Sequence, residues 1–207
     1  MAKVADTFSD SCCGLKERLV ESEEELLHLS ETLKELGFIV VVTGGVFDLI
    51  HIGHSSYLAE AKKSSGNPEK TKLIVFVDSD ELTKKRKGEG RPIVPQDERL
   101  KMLAHLRPVD FLFVRNAVFS DDGYESDLLS KVRPHILITS ETTRDFSEDD
   151  KRKLEESGVC GKVITLPPQA QTSTTERIRK LQADGGAELS KLIEETIANY
   201  LKRGEKK

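Results

Sequence analysis

Cysteine is scarce in this sequence. Cys12, Cys13 and Cys160 are the only three in 207 residues. Their number is odd, two are adjacent, and no spacing between them fits a zinc site. Reduced structural thiols of a cytosolic protein are therefore expected. An apolar leader is missing too, because the first ten residues, MAKVADTFSD, lack the hydrophobic core of a signal peptide. No run approaches the ~18 apolar residues that would span a bilayer. There is no basic excess either. The formal net charge is −4, whereas domains whose main work is coating nucleic acid carry a positive surplus. Internal repeats and low-complexity segments are also lacking. These absences lead us to expect a soluble, cytoplasmic protein, in which segregated charges still allow a small basic pocket for a phosphorylated ligand.

The length suits one well-buried domain with a helical extension. Apolar residues reach 37% and charged ones 33%, so a heavily charged surface should enclose a modest core. We divide the chain into residues 1–37, 38–183 and 184–207. Residues 1–14 read as an unstructured leader. Leu15, Leu19, Leu26, Leu29, Leu33 and Leu36 then recur at helical steps, with Ser22 in the one gap and Gly37 as the stop. This amphipathic helix over Leu15–Leu36 reads as a face docked on the parent domain, with a short coiled-coil seam as the alternative.

From Phe38 onward, apolar runs alternate with helical patterns. Strands are expected at Phe38–Thr43, Leu73–Val77, Val109–Val114, Ile136–Ile138 and Val163–Leu166. Helices are expected through Leu58–Lys63, from Pro95 to His105, over Asp122–Val132 and over Glu148–Ser157, then from Ser173 and from Ala187 to Lys202. The tail from Arg203 reads as a frayed end. Such alternation predicts an α/β, Rossmann-like, doubly wound parallel sheet of five strands, with helices on both faces. An N-terminal helix and C-terminal helices flank it.

The residues with most chemistry follow the first strand: Thr43-Gly44-Gly45-Val46-Phe47-Asp48-Leu49-Ile50-His51-Ile52-Gly53-His54. Glycines let a ligand approach the backbone where the strand ends. The helix starting near Ile52 presents free N–H groups and positive dipole to an anion. His51 and His54, with Gly53 between them, can donate hydrogen bonds to phosphate oxygens from one side of that helix start. A second signal is Thr83-Lys84-Lys85-Arg86-Lys87-Gly88-Glu89-Gly90-Arg91-Pro92, which leaves the same end of the sheet as the histidine loop. A solvated face is the plain alternative there. A third is Thr172-Ser173-Thr174-Thr175-Glu176-Arg177-Ile178-Arg179, which also fits a simple helix cap.

Together these segments resemble the HxGH nucleotidyltransferases, and specifically their cytidylyltransferase-like branch, whose first loop reads G-x-F-D-x-x-H-x-G-H. Gly45, Phe47, Asp48, His51, Gly53 and His54 match its fixed positions. The stretch from Lys84 to Arg99 looks like the K-G-x-x-R-P-x-x-P-x-x-x-R segment of heptose-phosphate adenylyltransferases, with Lys87, Arg91 and Arg99 on its basic positions. A structural salt bridge is the alternative for Arg99. Ser173, Thr174 and Thr175 match the hydroxyl motif that binds the β- and γ-phosphates in the family.

The resemblance implies that His51, His54 and Lys87 are catalytic. It places Gly45, Val46, Phe47, Gly53, Arg91, Ser173, Thr174 and Thr175 at the nucleotide, and gives Asp48 a pocket-shaping or acceptor-side role rather than a metal-binding one. It implies transfer of a nucleoside monophosphate, AMP from ATP ahead of CMP from CTP, to a phosphorylated small molecule, with Mg²⁺ on the triphosphate and a homodimeric enzyme. A cytidylyltransferase for glycerol-3-phosphate or phosphoethanolamine, an FMN adenylyltransferase and a nucleotide-binding regulatory module are the rivals. A class I aminoacyl-tRNA synthetase shares the HIGH string, but the chain is short for a tRNA-binding domain and has no KMSKS loop. One departure stands out. Where the heptose enzymes carry K-G-G-D-Y after the fourth strand, this chain reads Thr139-Ser140-Glu141-Thr142-Thr143-Arg144, so a heptose phosphate is not the expected acceptor.

Overall fold

The computed structural model of the chain describes residues 14–116, 127–142, 146–170 and 174–204. They fall into two compact units, Met1–Ala170 and Gln171–Lys207. The first unit runs α1 (Leu15–Arg18), β1 (Leu19–Val20), α2 (Glu23–Glu35), β2 (Ile39–Gly45), α3 (Ile52–Lys63), a 3-10 turn at Pro68–Lys70 and β3 (Thr71–Asp78). It continues with α4 (Asp80–Lys87), α5 (Gln96–Ala104), β4 (Phe111–Arg115), α6 (Asp127–Val132), β5 (Ile136–Ser140), α7 (Glu148–Glu156) and β6 (Lys162–Leu166). The second unit contains α8 (Thr174–Gly204).

Each strand pair is parallel, and the order is β1-β4-β3-β2-β5-β6. From β2 the chain winds outward through β3 and β4, then returns to the other side for β5 and β6. A crevice opens at such a reversal, at the carboxyl ends of the strands. Alternation along each strand sends neighbouring side chains to opposite faces. On one face Val40, Val42, Ile74, Phe76, Phe111, Phe113 and Leu137 pack with Leu26, Leu29 and Leu33 of α2, Leu129 and Val132 of α6, and Leu154 of α7. On the other, Val41, Leu73, Val75, Val77, Leu112, Ile136 and Ile138 pack with Leu58 and Ala61 of α3 and with Leu100, Leu103 and Ala104 of α5. Both faces are covered, which is why the strands read as unbroken apolar runs.

The doubly wound parallel sheet is as expected, but it has six strands rather than five. The extra one comes from inside the expected Leu15–Leu36 helix. That helix breaks because Ser22 is an N-cap and not a filler of the leucine stripe: its backbone is extended, and its hydroxyl accepts the Glu25 N–H at 3.1 Å. Glu25 answers by accepting the Glu21 N–H at 2.9 Å, so a Ser-x-x-Glu start defines α2. Residues ahead of the cap are released to extend, and Leu19 and Val20 pair with Leu112 and Phe113 of β4. Arg18 secures this edge by donating to the carbonyl oxygens of Leu106 and Val109.

Two further elements differ from expectation. Asp80–Lys87 is a helix, started by Ser79, whose hydroxyl accepts the Leu82 N–H at 3.1 Å, and stopped at Gly88 with φ of 96°. The basic run Lys84–Lys87 is its last turn, where cations offset the helix dipole. The two expected C-terminal helices are one continuous helix of 31 residues. Gly185 and Gly186 inside it cost only ~1 kcal/mol each and do not break it. The expected Asp122–Val132 helix is described from Asp127, its earlier part lying outside the described residues, as do Cys12 and Cys13. No helix among the described residues is long and apolar enough to cross a membrane.

Leu33 is fully buried in the core, whereas Leu36 is 56% exposed. The stripe is thus docked on the parent domain through Leu26, Leu29 and Leu33. Leu33→Ala should cost ~2–5 kcal/mol in denaturant unfolding, and Leu36→Ala less than ~0.5 kcal/mol. Equal, small losses would contradict the docking.

Candidate functional site

The site forms where β2 runs out. Thr43 ties the strand to its neighbours, donating to the Ile138 carbonyl at 3.1 Å and sharing a 2.7 Å hydrogen bond with Tyr57 of α3. Beyond Gly45 the backbone becomes unusual. Phe47 has φ of 54° and Leu49 φ of 46°, left-handed values that non-glycine residues seldom adopt. Strain of this kind, ~1–3 kcal/mol per residue, persists only where surrounding contacts enforce it, and it clusters at functional sites. Phe47 is enforced by burial in the core and by an edge-on contact with His54, their rings 5.6 Å apart.

Asp48, between the two strained residues, is 2% exposed. Its carboxylate accepts the backbone N–H groups of Ile93 at 3.0 Å and Val94 at 2.9 Å, and pairs with Arg91 at 3.0 Å. Asp48 thus fastens the basic segment to the histidine loop. Arg99 reinforces the same junction. It is fully buried, donates to the carbonyl oxygens of Val46, Asp78 and Val94, and pairs with Asp80 at 2.7 Å. Arg99 thus forms a structural salt bridge, the alternative considered for it, with Asp80 as the partner.

His51 caps α3: its Nδ1 accepts the Gly53 N–H at 3.0 Å. With Nδ1 used as acceptor, a neutral ring carries its proton on Nε2. His54, one turn on, lies with its ring 4.1 Å from that of His51, tilted by 35°. Gly53 is required by close approach, since a methyl group there would stand 2.8 Å from His51 Cε1 and 2.9 Å from the Ala170 Cβ. The segment after β6 therefore abuts the histidine turn.

A set of cations completes the edge. Asp78, the last residue of β3, is fully buried and takes Arg115 Nε on one oxygen at 2.6 Å and Arg86 Nη1 on the other at 2.7 Å. Lys87 stands among Arg91, Arg86, Asp78 and Asp48; the surrounding protein, then the two guanidinium charges, hold its ammonium below the usual lysine range. On the opposite side of β2, a cleft of about 730 Å³ is lined by Thr139, Ser140, Glu141, Phe146, Ser147 and Lys151, among others. Thr139 and Thr165 share a 3.0 Å hydrogen bond at its floor.

The structure thus brings Gly45, Val46, Phe47, Asp48, His51, Gly53, His54, Lys87 and Arg91 to one edge of the sheet. Thr174 and Thr175 open α8 in the second unit, and Ser173, Thr143 and Arg144 lie outside the described residues. Sequence reasoning missed Asp78 and Arg115. Each ends a buried apolar strand, and a charge at that position was the available signal.

Residues 42–180 match the cytidylyltransferase-like family. The Bifunctional protein HldE of Klebsiella pneumoniae is 36% identical over 166 residues, which are 80% of this chain and 32% of that one. The protein of the same name from Citrobacter koseri is 36% identical over the same shares. This chain therefore spans about a third of the length of these curated relatives. Among solved structures, pantoate-beta-alanine ligase from Francisella tularensis, complexed with beta-gamma ATP and beta-alanine, aligns with a TM-score of 0.52 at 18% identity, covering 74% of this chain and 68% of that one. That likeness supports the fold. The chain belongs to the cytidylyltransferase-like family, and its class is that of the nucleotidyltransferase enzymes.

Two outcomes test the site. His54→Ala should lower turnover ~100-fold or more while the fold survives, the scale of losing one preorganised stabiliser of developing charge; normal turnover would remove His54 from the chemistry. Because the Lys87 pKa is lowered from 10.5, its positive charge is lost at lower pH than an ordinary lysine's. The alkaline limb of kcat/KM, which reports the free enzyme, should therefore fall below that pH, and Lys87→Arg should move it upward. An unmoved limb would show that another group titrates.

Proposed function

We propose that this nucleotidyltransferase moves AMP from ATP onto a phosphorylated small molecule and releases pyrophosphate. The observation that carries the reading is the joining of two anion-binding elements through one carboxylate: Asp48 lies three residues before His51 and is ion-paired to Arg91. The histidine turn is thereby tied to the basic segment that carries Arg91.

The chemistry needs no covalent intermediate. A phosphate oxygen of the acceptor, already anionic, attacks the α-phosphorus in line. The new oxygen–phosphorus bond forms as the bond from the α-phosphorus to its bridging oxygen breaks, and the electron pair leaves on pyrophosphate. Mg²⁺ would enter with the donor substrate and offset part of its triphosphate charge. His51, His54, Lys87 and Arg91 offset the charge that develops on the leaving group. This is positioning with electrostatic stabilisation, which is what phosphoryl-type transfer chiefly requires. The resemblance of the Lys84–Arg99 segment to adenylyltransferases favours ATP over CTP.

For the acceptor we infer a phosphorylated metabolite, with sugar phosphates in the class but a heptose phosphate outside it. The end of β5 supports this. Ser140 and Thr142 hydroxyls pair at 2.8 Å, and Glu141 is exposed where glycines would admit a sugar against the backbone.

Pyrophosphate release from ATP or CTP, against a panel of phosphorylated acceptors, tests the whole reading. ATP with at least one acceptor should give release. Release with CTP alone would overturn the donor. Failure with both, alongside tight nucleotide binding, would favour a regulatory module. ADP-heptose formation from heptose-1-phosphate at a kcat/KM of ~10⁴ M⁻¹s⁻¹ or above, an ordinary enzymatic value, would overturn the acceptor.

A further inference from the structure

We propose that Tyr57 is a positioning residue for His54: its hydroxyl pins the helix that carries both site histidines to the two strands flanking the crevice. The role rests on the nucleotidyltransferase reading above, in which His54 offsets charge on the leaving group. Tyr57 follows His54 by three residues, one turn along the same side of α3. Its hydroxyl lies 2.7 Å from Thr43 Oγ1 and 3.4 Å from the Ile138 carbonyl oxygen, which also accepts from Thr43 at 3.1 Å. Thr43 belongs to β2 and Ile138 to β5, neighbours in the sheet at the point where its winding reverses. One oxygen atom of α3 thus meets both strands. Thr43 is followed directly by Gly44 and Gly45, so the pin stands at the root of the histidine loop.

Simple packing is the competing account, and the make-up of α3 argues against it. Along this helix only Leu58 and Ala61 are fully buried apolar residues. Apolar contact is non-directional, and two such side chains leave a helix able to slide or roll. A hydrogen bond fixes distance and angle. Such attachments hold α3 in both halves: Tyr57 on β2 and β5, and, nearer its end, Lys62, which donates to the Thr71 carbonyl oxygen and to Asp110. Burial alone would be met by phenylalanine at position 57. Thr43 does not need the phenol either, because the Ile138 carbonyl takes its proton. The Tyr57 hydroxyl therefore adds direction rather than area. His54, one turn nearer the loop, meets the Phe47 ring at 5.6 Å and the His51 ring at 4.1 Å, contacts that a displacement of α3 would alter. Misplacement of a catalytic group by about 1 Å can cost ~100-fold in rate.

Tyr57→Phe deletes the one oxygen and keeps the ring. NMR of the imidazole protons reads the placement of His54 without turnover, its signal being assigned by its loss in His54→Ala. In Tyr57→Phe that signal should move by more than its linewidth, while those of exposed His28, on α2, and His105, just after α5, stay in place. With ATP and a phosphorylated acceptor, kcat and kcat/KM should fall together by ~10-fold, the pattern of an interaction made only in the transition state. Tyr57→Phe/His54→Ala should be no slower than His54→Ala, because Tyr57 acts through that ring. An unmoved His54 signal in the folded variant would overturn the proposal, as would a loss confined to KM or losses that multiply in the double variant. Thermal unfolding checks that each variant is folded. Should Tyr57→Phe fail to fold, Thr43→Val removes the 2.7 Å partner instead, and an unmoved signal there counts equally against the pin. A wild type without turnover on any acceptor would overturn the nucleotidyltransferase reading, and the His54 signal still decides whether Tyr57 positions the ring.

Discussion

The Asp48 carboxylate is the point on which the site depends. It sits in a loop whose flanking residues, Phe47 and Leu49, are held at positive φ, and it accepts two N–H groups from a segment 45 and 46 residues later in the chain. A carboxylate bonded to backbone N–H groups fixes position as well as charge, because neither donor can rotate away. The histidine turn and the basic segment are therefore placed relative to each other by one side chain. Arg99 backs the arrangement from below, bridging the Val46 and Asp78 carbonyl oxygens that lead into the two loops. Its guanidinium can be fully buried because Asp80 and three carbonyl oxygens meet its donors, which is the condition under which buried charge is tolerated.

Much of this was legible in the sequence, and the reason is periodicity. Val40–Val42 and Leu73–Val77 are apolar on both faces because helices cover both, and a buried parallel strand has no other pattern. The histidine loop was legible for a different reason: its glycines and histidines are close in sequence, so their spacing is itself the geometry. What was not legible depends on long-range pairing. Leu19 and Val20 form a strand only because β4 offers an open edge, and two residues carry no period. Ser22 looked like a gap in a leucine stripe although Glu25, three residues on, marked a helix start. The roles of Asp78 and Arg115 arise from register across the sheet, which neither residue's neighbours reveal.

The leucine helix shows how one pattern serves alternatives that only packing decides. Leu26, Leu29 and Leu33 are occupied by the protein's own core, so α2 supplies no apolar seam through these positions. Self-association of the enzyme then draws its support from the family resemblance and not from this helix.

The cations at the sheet edge pose an electrostatic problem that the fold answers in parts. Lys84–Lys87 lie at the carboxyl end of α4, where the helix dipole favours positive charge. Asp78 and Asp48 each hold guanidinium groups at hydrogen-bond distance, which limits their mutual repulsion. Lys87 lies among these groups, and its burial first, then the Arg91 and Arg86 charges, lower its pKa. On the proposed reading a polyanion would arrive beside cations that the fold already holds in place, so they need not reorganise around it, which is the condition under which electrostatic stabilisation is most effective.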